Sequence, residues 1–495
     1  MAQAEKKEPV TFSDLPEQRE FRAVWISSVV NIDWPSNPYL SKERQKAEFV
    51  KILEESKEMG LNAVIVQIRP TADALYPSKI NPWSKYLTGE QGKSPGYDPL
   101  AFMIEESRKR NLEFHAWFNP YRVSMDPYLE NLVPEHPARQ HPDWVVTYGG
   151  KLWYDPGLPA VRKHIIDSIM EVVRQYDIDA VHFDDYFYPY PVPGEDFPDE
   201  KTYRIYGKNF ADKGDWRRHN VNLLIRQLSQ EIKKEKPLVK FGISPFGIWK
   251  NKSSDPTGSD TNGSESYYTI YADTRTWIQE GWLDYIAPQI YWNIGYPPAA
   301  YEKLLAWWSN ETKRKNIHLY IGQAAYKVGN NNEAWDNPEE LPNQIKSNRK
   351  DPVVKGNIFF SHKDLIANRL GIRDRITNDL YKEPALIPAS TWLDRKAPKK
   401  PKLQKVTRKD NGIVQFKWKN RAGKDAAYFA IYRVSVANGK PLFGKKLLAT
   451  VRNMGQTSEY TLKIQDTHNF HDVYFMTAID RSHNESLPSN PATCD

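Results

Sequence analysis

The sequence predicts an α/β fold, a (β/α)8 TIM-type barrel followed by a small all-β sandwich. Eight short apolar runs alternate with longer segments of helical periodicity between residues 21 and 380, and this alternation is typical of a parallel barrel. The first apolar run lacks the Gly-rich phosphate turn of an open doubly wound sheet. From residue 403 onward the pattern changes to short alternating strands.

The candidate barrel strands have the length and apolar character of buried strands. They lie at residues 21–29, 62–69, 112–119, 179–185, 240–246, 284–292, 317–323 and 356–362. Between them, apolar residues recur every three or four positions, most clearly in the predicted helices at residues 41–60, 97–111, 159–176 and 215–235. Ser41 is a candidate N-cap of the first helix, and Gly60 marks its end.

These patterns divide the chain into four parts. They predict an N-terminal extension over residues 1–18, the barrel over 19–390, a Pro- and Lys-rich linker over 391–402, and a C-terminal domain over 403–495. In the last of these, Trp418, Tyr432 and Tyr474 are placed as in a fibronectin type III-like sandwich. A spacer or packing role is the simpler interpretation of this domain, and sugar binding is the alternative.

Composition excludes several classes of function. The 495 residues carry a net charge of +7, and the Lys and Arg residues are scattered, so we expect no nucleic-acid partner. The single cysteine, Cys494, permits no intrachain disulfide and no paired-cysteine zinc site. Neither an HExxH motif nor a P-loop nor a Gly-x-Ser-x-Gly elbow occurs, so we expect no metal and no cofactor. Aromatic residues make up 13% of the chain, a content that suits stacking on sugar rings. We also expect the protein to be a monomer.

The run "DAVHFDD" at residues 179–185 carries the strongest candidates for chemistry. Because side chains alternate along a strand, Val181 and Phe183 should face the helices, while His182 and Asp184 point into the barrel. Asp184 would then lie at the barrel mouth as a catalytic carboxylate, with Asp185 at the start of the loop as the second. The structural alternatives are that Asp184 binds an arginine or loop amides, and that Asp185 bonds its own loop.

Other polar and aromatic residues follow the remaining strands. Together they suit a site for a polyhydroxylated ligand, in which amide, guanidinium and phenol groups bind hydroxyls and tryptophans stack on sugar faces. The candidate substrate-binding residues are Arg69, Asn119, Arg122, Trp153, His182, Tyr186, Trp249, Gln289, Tyr291 and Trp292.

Several segments are together specific to one family. The segments "EFRAVWISSVVNIDWPS", "GLNAVIVQIRPTADALYPS", "HAWFNPYR", "LWYDPGLPAVR", "DAVHFDDYFYPYP" and "DYIAPQIYW" resemble the glycosyl-hydrolase-like family 10 domain over roughly residues 19 to 380. That resemblance implies a barrel glycosidase acting on a polysaccharide, with peptidoglycan glycan strands lacking stem peptides as substrate. It also implies an extracytoplasmic location, in the periplasm or as an outer-membrane lipoprotein, and envelope or divisome partners. The start "MAQAEKKEPV" shows no export signal, so the location rests on the family alone.

A looser similarity is to family 18 chitinases, whose fourth strand ends in a catalytic Glu. Alignment of the strands places Tyr186 at that position, so the catalytic acid would have to be Asp184 or Asp185. A separate second carboxylate could come from a loop, with Glu195, Asp255, Asp260 and Glu265 as candidates. If the substrate's N-acetyl group is the nucleophile, one acid suffices and Tyr291 could orient the acetamide. A non-catalytic glycan-binding barrel and a hydrolase of another polysaccharide, such as an α-glucan, are the competing interpretations.

Overall fold

The protein is described by a computed structural model that covers residues 19–330, 332–409, 413–437, 440–441, 445–454, 459–465 and 472–494. The chain forms two compact units, one from Phe21 to Leu380 and the other from the described residues after Leu380 together with Arg19 and Glu20. The predicted extension over residues 1–18 lies outside the described residues. The predicted domain limits at residues 390 and 402 stay predictions.

Eight parallel strands close the predicted barrel, in the order β1-β10-β9-β8-β7-β6-β3-β2. A short antiparallel hairpin, β4–β5, lies in the loop after β3 and was not predicted from the sequence. In chain order, the strands of this unit are β1 Phe21–Ile26, β2 Ala63–Arg69, β3 Glu113–Phe118, β4 Val145–Tyr148, β5 Lys151–Tyr154, β6 Ala180–Phe183, β7 Lys240–Ile243, β8 Tyr285–Ile286, β9 His318–Gln323 and β10 Val354–Phe359.

The barrel fold predicted from the eight apolar runs is confirmed. The largest difference is at β8, which was predicted over residues 284–292 and is a strand only at Tyr285–Ile286. Pro288 has no backbone N–H, so it cannot extend the hydrogen-bonded ladder. Beyond it, Gln289 keeps single bridges to Phe246 and Gly322.

The helices connect the strands on the outside of the barrel. The four that were predicted most clearly form, and Ser41 caps the first of them by accepting a hydrogen bond from the Arg44 N–H at 3.3 Å. In chain order they are α1 Lys42–Glu58, α2 Lys85–Thr88, α3 Pro99–Lys109, α4 Pro137–Gln140, α5 Pro159–Gln175, α6 Glu200–Tyr206, α7 Lys213–Glu235, α8 Ser266–Thr269, α9 Thr274–Gln279, α10 Tyr301–Thr312, α11 Glu340–Lys350, α12 His362–Ile366 and α13 Ile372–Arg375.

A chain of polar side chains runs through the barrel interior. At one end, Lys240 donates to both oxygens of Glu113, at 2.6 and 2.8 Å. The Glu113 carboxylate lies 3.0 Å from Nε2 of His115. Nδ1 of His115 and Nδ1 of His182 each lie 2.9 Å from the Tyr285 hydroxyl.

The direction of each hydrogen bond in this chain follows from its ends. At the far end the Trp25 indole N–H, which can only donate, lies 3.1 Å from Nε2 of His182. Since this nitrogen accepts, Nδ1 of His182 carries the proton and donates to Tyr285, which in turn donates to His115. Burial lowers the pKa of both histidines, in agreement with their being neutral.

The C-terminal unit is built from two antiparallel sheets. One has the order β11-β12-β16, and in the other β13 pairs with β14, β15 and β17, while β17 also pairs with β18. Trp418 and Tyr474 are buried in the core between the sheets, whereas Tyr432 packs on Phe475 in a second cluster. The fibronectin type III-like assignment stays a prediction. The strands are β11 Lys402–Arg408, β12 Ile413–Lys419, β13 Tyr428–Ala437, β14 Lys440–Pro441, β15 Lys446–Arg452, β16 Glu459–Gln465, β17 Asp472–Ile479 and β18 Ala492–Thr493.

Replacing Tyr285 by phenylalanine should interrupt the interior chain without changing its volume. The Tyr285→Phe substitution leaves Nδ1 of both histidines buried without this partner, at about 1–3 kcal/mol for each such group. We expect urea denaturation to show that the free energy of unfolding falls by about 2–6 kcal/mol. Tyr206→Phe is the matched control because Tyr206 is half exposed. A Tyr285→Phe variant that is as stable as this control would contradict the assigned series of hydrogen bonds in the barrel interior.

Candidate active site

A cavity of about 330 Å³ opens at the carboxyl ends of the barrel strands, where active sites of such barrels lie. Each of the eight strands, or the loop directly after it, contributes at least one side chain. The lining residues are Trp25, Ser27, Val29, Ile32, Gln67, Trp117, Arg122, Asp184, Asp185, Tyr186, Tyr190, Ser244, Gln289, Tyr291, Tyr326 and Phe360.

Asp184 follows the last residue of β6 and is held by three donors. Its Oδ2 accepts from the Trp117 indole at 3.1 Å and from the Asn119 amide at 2.5 Å. Its Oδ1 accepts from the backbone N–H of Tyr186 at 3.2 Å. Hydrogen bonds to both oxygens favour the ionised carboxylate.

Gln67 fixes the amide that holds Asp184. Its Oε1 accepts from the Ser27 hydroxyl and from the backbone N–H groups of Ser28 and Val29, at 2.9–3.0 Å. Its Nε2 must therefore be the donor to Asn119 Oδ1, at 2.6 Å. This bond orients the Asn119 amide with its NH₂ group toward Asp184. The loop after β1 thus positions Asp184 through Gln67 and Asn119.

Asp185 faces the same cavity, in contact with two different side chains. One oxygen accepts from the Tyr190 hydroxyl, and the other accepts from Gln289 Nε2 at 3.1 Å. Gln289 is itself oriented by its bond to the Ser244 carbonyl oxygen at 3.0 Å. The two aspartates therefore share one cavity but have separate hydrogen-bonding partners.

The surroundings raise the pKa of both carboxyl groups, through different causes. Burial raises the pKa of Asp184, and the Arg122 charge and the Asn119, Tyr186 and Trp117 hydrogen bonds oppose that rise. For Asp185, burial and the neighbouring charge of Asp184 raise the pKa to about 6. Pairs of carboxyl groups whose environments separate their pKa values are typical of acid–base sites.

Arg122 contributes positive charge and an aromatic contact. Its Nε donates to the Pro70 carbonyl oxygen at 3.0 Å, and its guanidinium lies 5.3 Å from the centre of the Tyr186 ring. That spacing is typical of a cation–π contact. Four of the predicted substrate-binding residues, Arg122, Tyr186, Gln289 and Tyr291, line the cavity.

Other proposed substrate-binding residues lie behind the cavity wall. Asn119 and His182 are fully buried and contact Asp184 and Trp25, respectively. Arg69 is also fully buried and donates to the carbonyl oxygens of Asn119 and Pro120 at 2.9 and 3.3 Å. The pairing of β2 with β3 shifts register between Gln67, which lines the cavity, and Arg69, which does not.

The three proposed tryptophan platforms lie outside this cavity. Trp153 is buried in the β4–β5 hairpin and donates to the Tyr148 carbonyl oxygen at 3.2 Å. Trp249 is buried, stacked on Trp307 at 5.9 Å between ring centres. Trp292 lines a second, neighbouring cavity. Sugar contacts of these three residues stay predictions.

The loop carboxylates that were considered as a second catalytic group do not line the cavity either. Asp255 and Asp260 pair with Lys250 and Lys303, at 3.1 and 2.6 Å. Glu265 accepts from the Asn251 N–H at 2.7 Å, and Glu195 is exposed. Among the lining residues, Asp184 and Asp185 are the carboxylates.

The described residues contain neither a metal-ligand cluster nor a membrane-spanning helix. They contain no group of three His, Cys, Asp or Glu side chains that could hold a metal ion. No helix among them has the length and apolar character needed to cross a membrane.

Several lining residues were not predicted from the sequence. Trp117 and Ser244 lie near the carboxyl ends of predicted strands, a position that could have marked them. Trp25 lies in the middle of its predicted strand, and Tyr190 and Tyr326 lie in loops, so these three had no such signal.

Known proteins resemble the chain in sequence over most of its length. Glycosyl hydrolase YngK of Bacillus subtilis (strain 168) is 56% identical over 96% of this chain and 93% of its own length. Glycosyl hydrolase DigH of Escherichia coli (strain K12) is 42% identical over 72% of this chain and 86% of its own length. Among solved structures, the glycoside hydrolase domain of PgaB (BpsB) from Bordetella bronchiseptica matches with a TM-score of 0.49 at 15% identity, over 73% of this chain and 98% of that domain.

The family model described as glycosyl hydrolase-like 10 matches residues 20–337, which span β1 to β9 and include every aspartate of the cavity. This match agrees with the two relatives, both of which are glycosyl hydrolases. The chain is thus a glycoside hydrolase, and it belongs to the glycosyl hydrolase-like 10 family.

Proposed function

We propose that this enzyme cleaves the glycan strands of bacterial peptidoglycan, acting on strands that lack stem peptides. The observation that carries the proposal is the pair Asp184–Asp185, buried at the barrel mouth with different hydrogen-bonding partners. Because peptidoglycan lies outside the cytoplasmic membrane, the proposal places the enzyme outside the cytoplasm, where envelope or divisome proteins are its candidate partners.

The hydrogen bonds suggest a division of roles between the two aspartates. Asp184 has three donors and the Arg122 charge nearby, so it is the group that ionises first. Asp185 then retains its proton up to about pH 6, against the Asp184 charge. We assign Asp185 as the general acid and Asp184 as the charged group beside it.

Both aspartates come from the end of one strand, which supports a reaction assisted by the substrate. An inverting reaction would need a second carboxylate across the cavity to activate water, and the lining residues supply none there. In the assisted reaction, Asp185 gives its proton to the glycosidic oxygen as the bond to C1 breaks. The oxygen of the substrate's acetamido group attacks C1 and closes a five-membered oxazolinium ring, while Asp184 accepts a hydrogen bond from the acetamido N–H. A water molecule then attacks C1 and opens this ring, and Asp185 takes the proton that the water loses.

The cavity walls suit an N-acetylated sugar. Trp25, Trp117, Tyr186, Tyr291 and Phe360 present aromatic surface, which packs on the C–H faces of sugar rings. The hydroxyl of Ser244 and the amide oxygen of Gln289 lie among them and can bind sugar hydroxyls. Because Trp25 is held by His182, this wall is positioned before substrate arrives.

Removing either carboxylate should slow cleavage strongly. We expect Asp184→Asn and Asp185→Asn each to lower the release of soluble sugars from glycan strands by at least ~10²-fold, the usual contribution of a general acid or base. Asp143→Asn is the matched control, because Asp143 is exposed and outside the cavity. Mass spectrometry of digests of strands with stem peptides, strands without them and an α-glucan identifies the substrate. Parental rates from both folded variants, or cleavage of the α-glucan alone, would contradict the proposal.

The Asp185→Asn variant should also be more stable than the parent, increasingly so at higher pH. An unfolded aspartate ionises near its ordinary pKa of 3.8, whereas folded Asp185 does so near 6. Between these values the folded state holds a proton that the unfolded state has lost, so parental stability falls as pH rises to about 6. Asparagine does not ionise, so the variant does not lose stability in this way. We expect the difference in free energy of unfolding between variant and parent to grow by about 1–3 kcal/mol between pH 4 and pH 7.

Urea denaturation at the two pH values measures this difference, with Asp143→Asn again as the control. An advantage that is absent, or that shrinks between pH 4 and pH 7, would show that the pKa of Asp185 is not raised in the folded state.

A further inference from the structure

A second cavity of about 330 Å³ lies beside the catalytic one and shares Tyr326 with it. Its walls come from the loops after β8 and β9. The lining residues are Trp292, Asn293, Tyr296, Tyr326, Lys327, Asn330, Asn332 and Trp335. The shared side chain makes the two cavities adjacent, as consecutive subsites for a polymer would be.

The walls of this second cavity combine aromatic rings with amides. Trp292 is half-buried and Tyr296 is 38% exposed, so both rings present surface to a ligand. Asn330 and Asn332 are exposed beside them. Aromatic rings flanked by donor and acceptor amides suit a sugar ring, which offers C–H faces and hydroxyl edges.

Lys327 gives the cavity a positive charge. Its half-buried ammonium donates to the carbonyl oxygen of Tyr291 at 2.6 Å. It lies 5.8 Å from the centre of the Trp335 ring and 6.0 Å from that of Tyr326. Within the described part of the chain, no carboxylate forms an ion pair with it. An ammonium has three N–H donors, so donors remain for a ligand.

We propose that this second cavity is a subsite for a sugar residue that carries a carboxylate, with Lys327 as its cationic contact. The proposal rests on the proposed function, in which the substrate alternates N-acetylglucosamine with N-acetylmuramic acid. The lactyl group of muramic acid ends in a free carboxylate only where the stem peptide has been removed. Where the peptide is attached, the same carbonyl is a neutral amide.

The charge of Lys327 would therefore make the enzyme select strands without stem peptides, whose muramic acid residues carry a free carboxylate. A charge-assisted hydrogen bond to a partly buried ammonium contributes about 1.5–3 kcal/mol. Such a difference corresponds to roughly a 10- to 100-fold preference for the carboxylate over the amide. The bond from Lys327 to the Tyr291 carbonyl also links this subsite to the catalytic cavity.

The test compares two forms of one substrate. Peptide-free glycan strands are used either intact or after carbodiimide coupling to ammonia, which converts their carboxylates to amides. We expect the parent to prefer the intact strands by at least ~10-fold in kcat/KM, Lys327→Gln to lose that preference, and Lys327→Arg to retain most of it. Lys315→Gln removes an exposed charge elsewhere and is the matched control.

The ratio between the two glycans separates recognition from a structural effect. If Lys327 only supported the Tyr291 backbone, Lys327→Gln would slow cleavage of both glycans equally and leave the ratio unchanged, which would overturn the proposal. Calorimetric binding of N-acetylmuramic acid and N-acetylglucosamine tests the subsite without turnover. Failure of the parent to cut either glycan would refute the proposed function alone, whereas equal binding of the two sugars by the parent would refute the subsite.

Discussion

The site depends on the burial of two adjacent carboxyl groups at the end of β6. Asp184 and Asp185 are 6% and 3% exposed, and two neighbouring buried charges would cost several kcal/mol. Hydrogen bonds reduce that cost differently for the two groups. Asp184 accepts from a side chain of β3, from a side chain of the loop after β3 and from the backbone N–H of Tyr186, whereas Asp185 accepts from two side chains. One negative charge and one retained proton are therefore the favoured state, and this is the state an acid catalyst requires.

Two polar networks hold the surroundings of this pair in place. Gln67 connects the loop after β1 to Asn119 and so to Asp184. The interior chain from Lys240 to Trp25 has a single consistent direction, which fixes the tautomers of both histidines and the position of the Trp25 ring. Gly242 leaves room for this chain, because a Cβ atom there would lie 2.0 Å from the Tyr285 ring. Satisfied buried networks of this kind fix one arrangement of a core.

The sequence predicts the parts of the structure that depend on local periodicity. Alternation along β6 correctly placed His182 inside the barrel, and the apolar runs predicted all eight barrel strands. Arg69 could not be placed in this way, since the register shift after Gln67 changes the direction of its side chain and leaves no mark in the composition. The position of Asp185 in the cavity depends on Tyr190 and Gln289, which both lie outside the strand whose alternation identified Asp184. Contacts between loops, such as those that build the second cavity, arise only when the barrel closes. They therefore cannot be predicted from the sequence of any one loop.

The most direct test of this account is a carboxyl ¹³C NMR titration of protein labelled at aspartate, with Asp184→Asn and Asp185→Asn variants to assign the two signals. We expect the Asp185 carboxyl to titrate near pH 6 in the parent and at lower pH in Asp184→Asn, because that variant removes the neighbouring charge. Titration of both carboxyls near their ordinary value, with no change on replacing Asp184, would contradict the assignment of Asp185 as the acid.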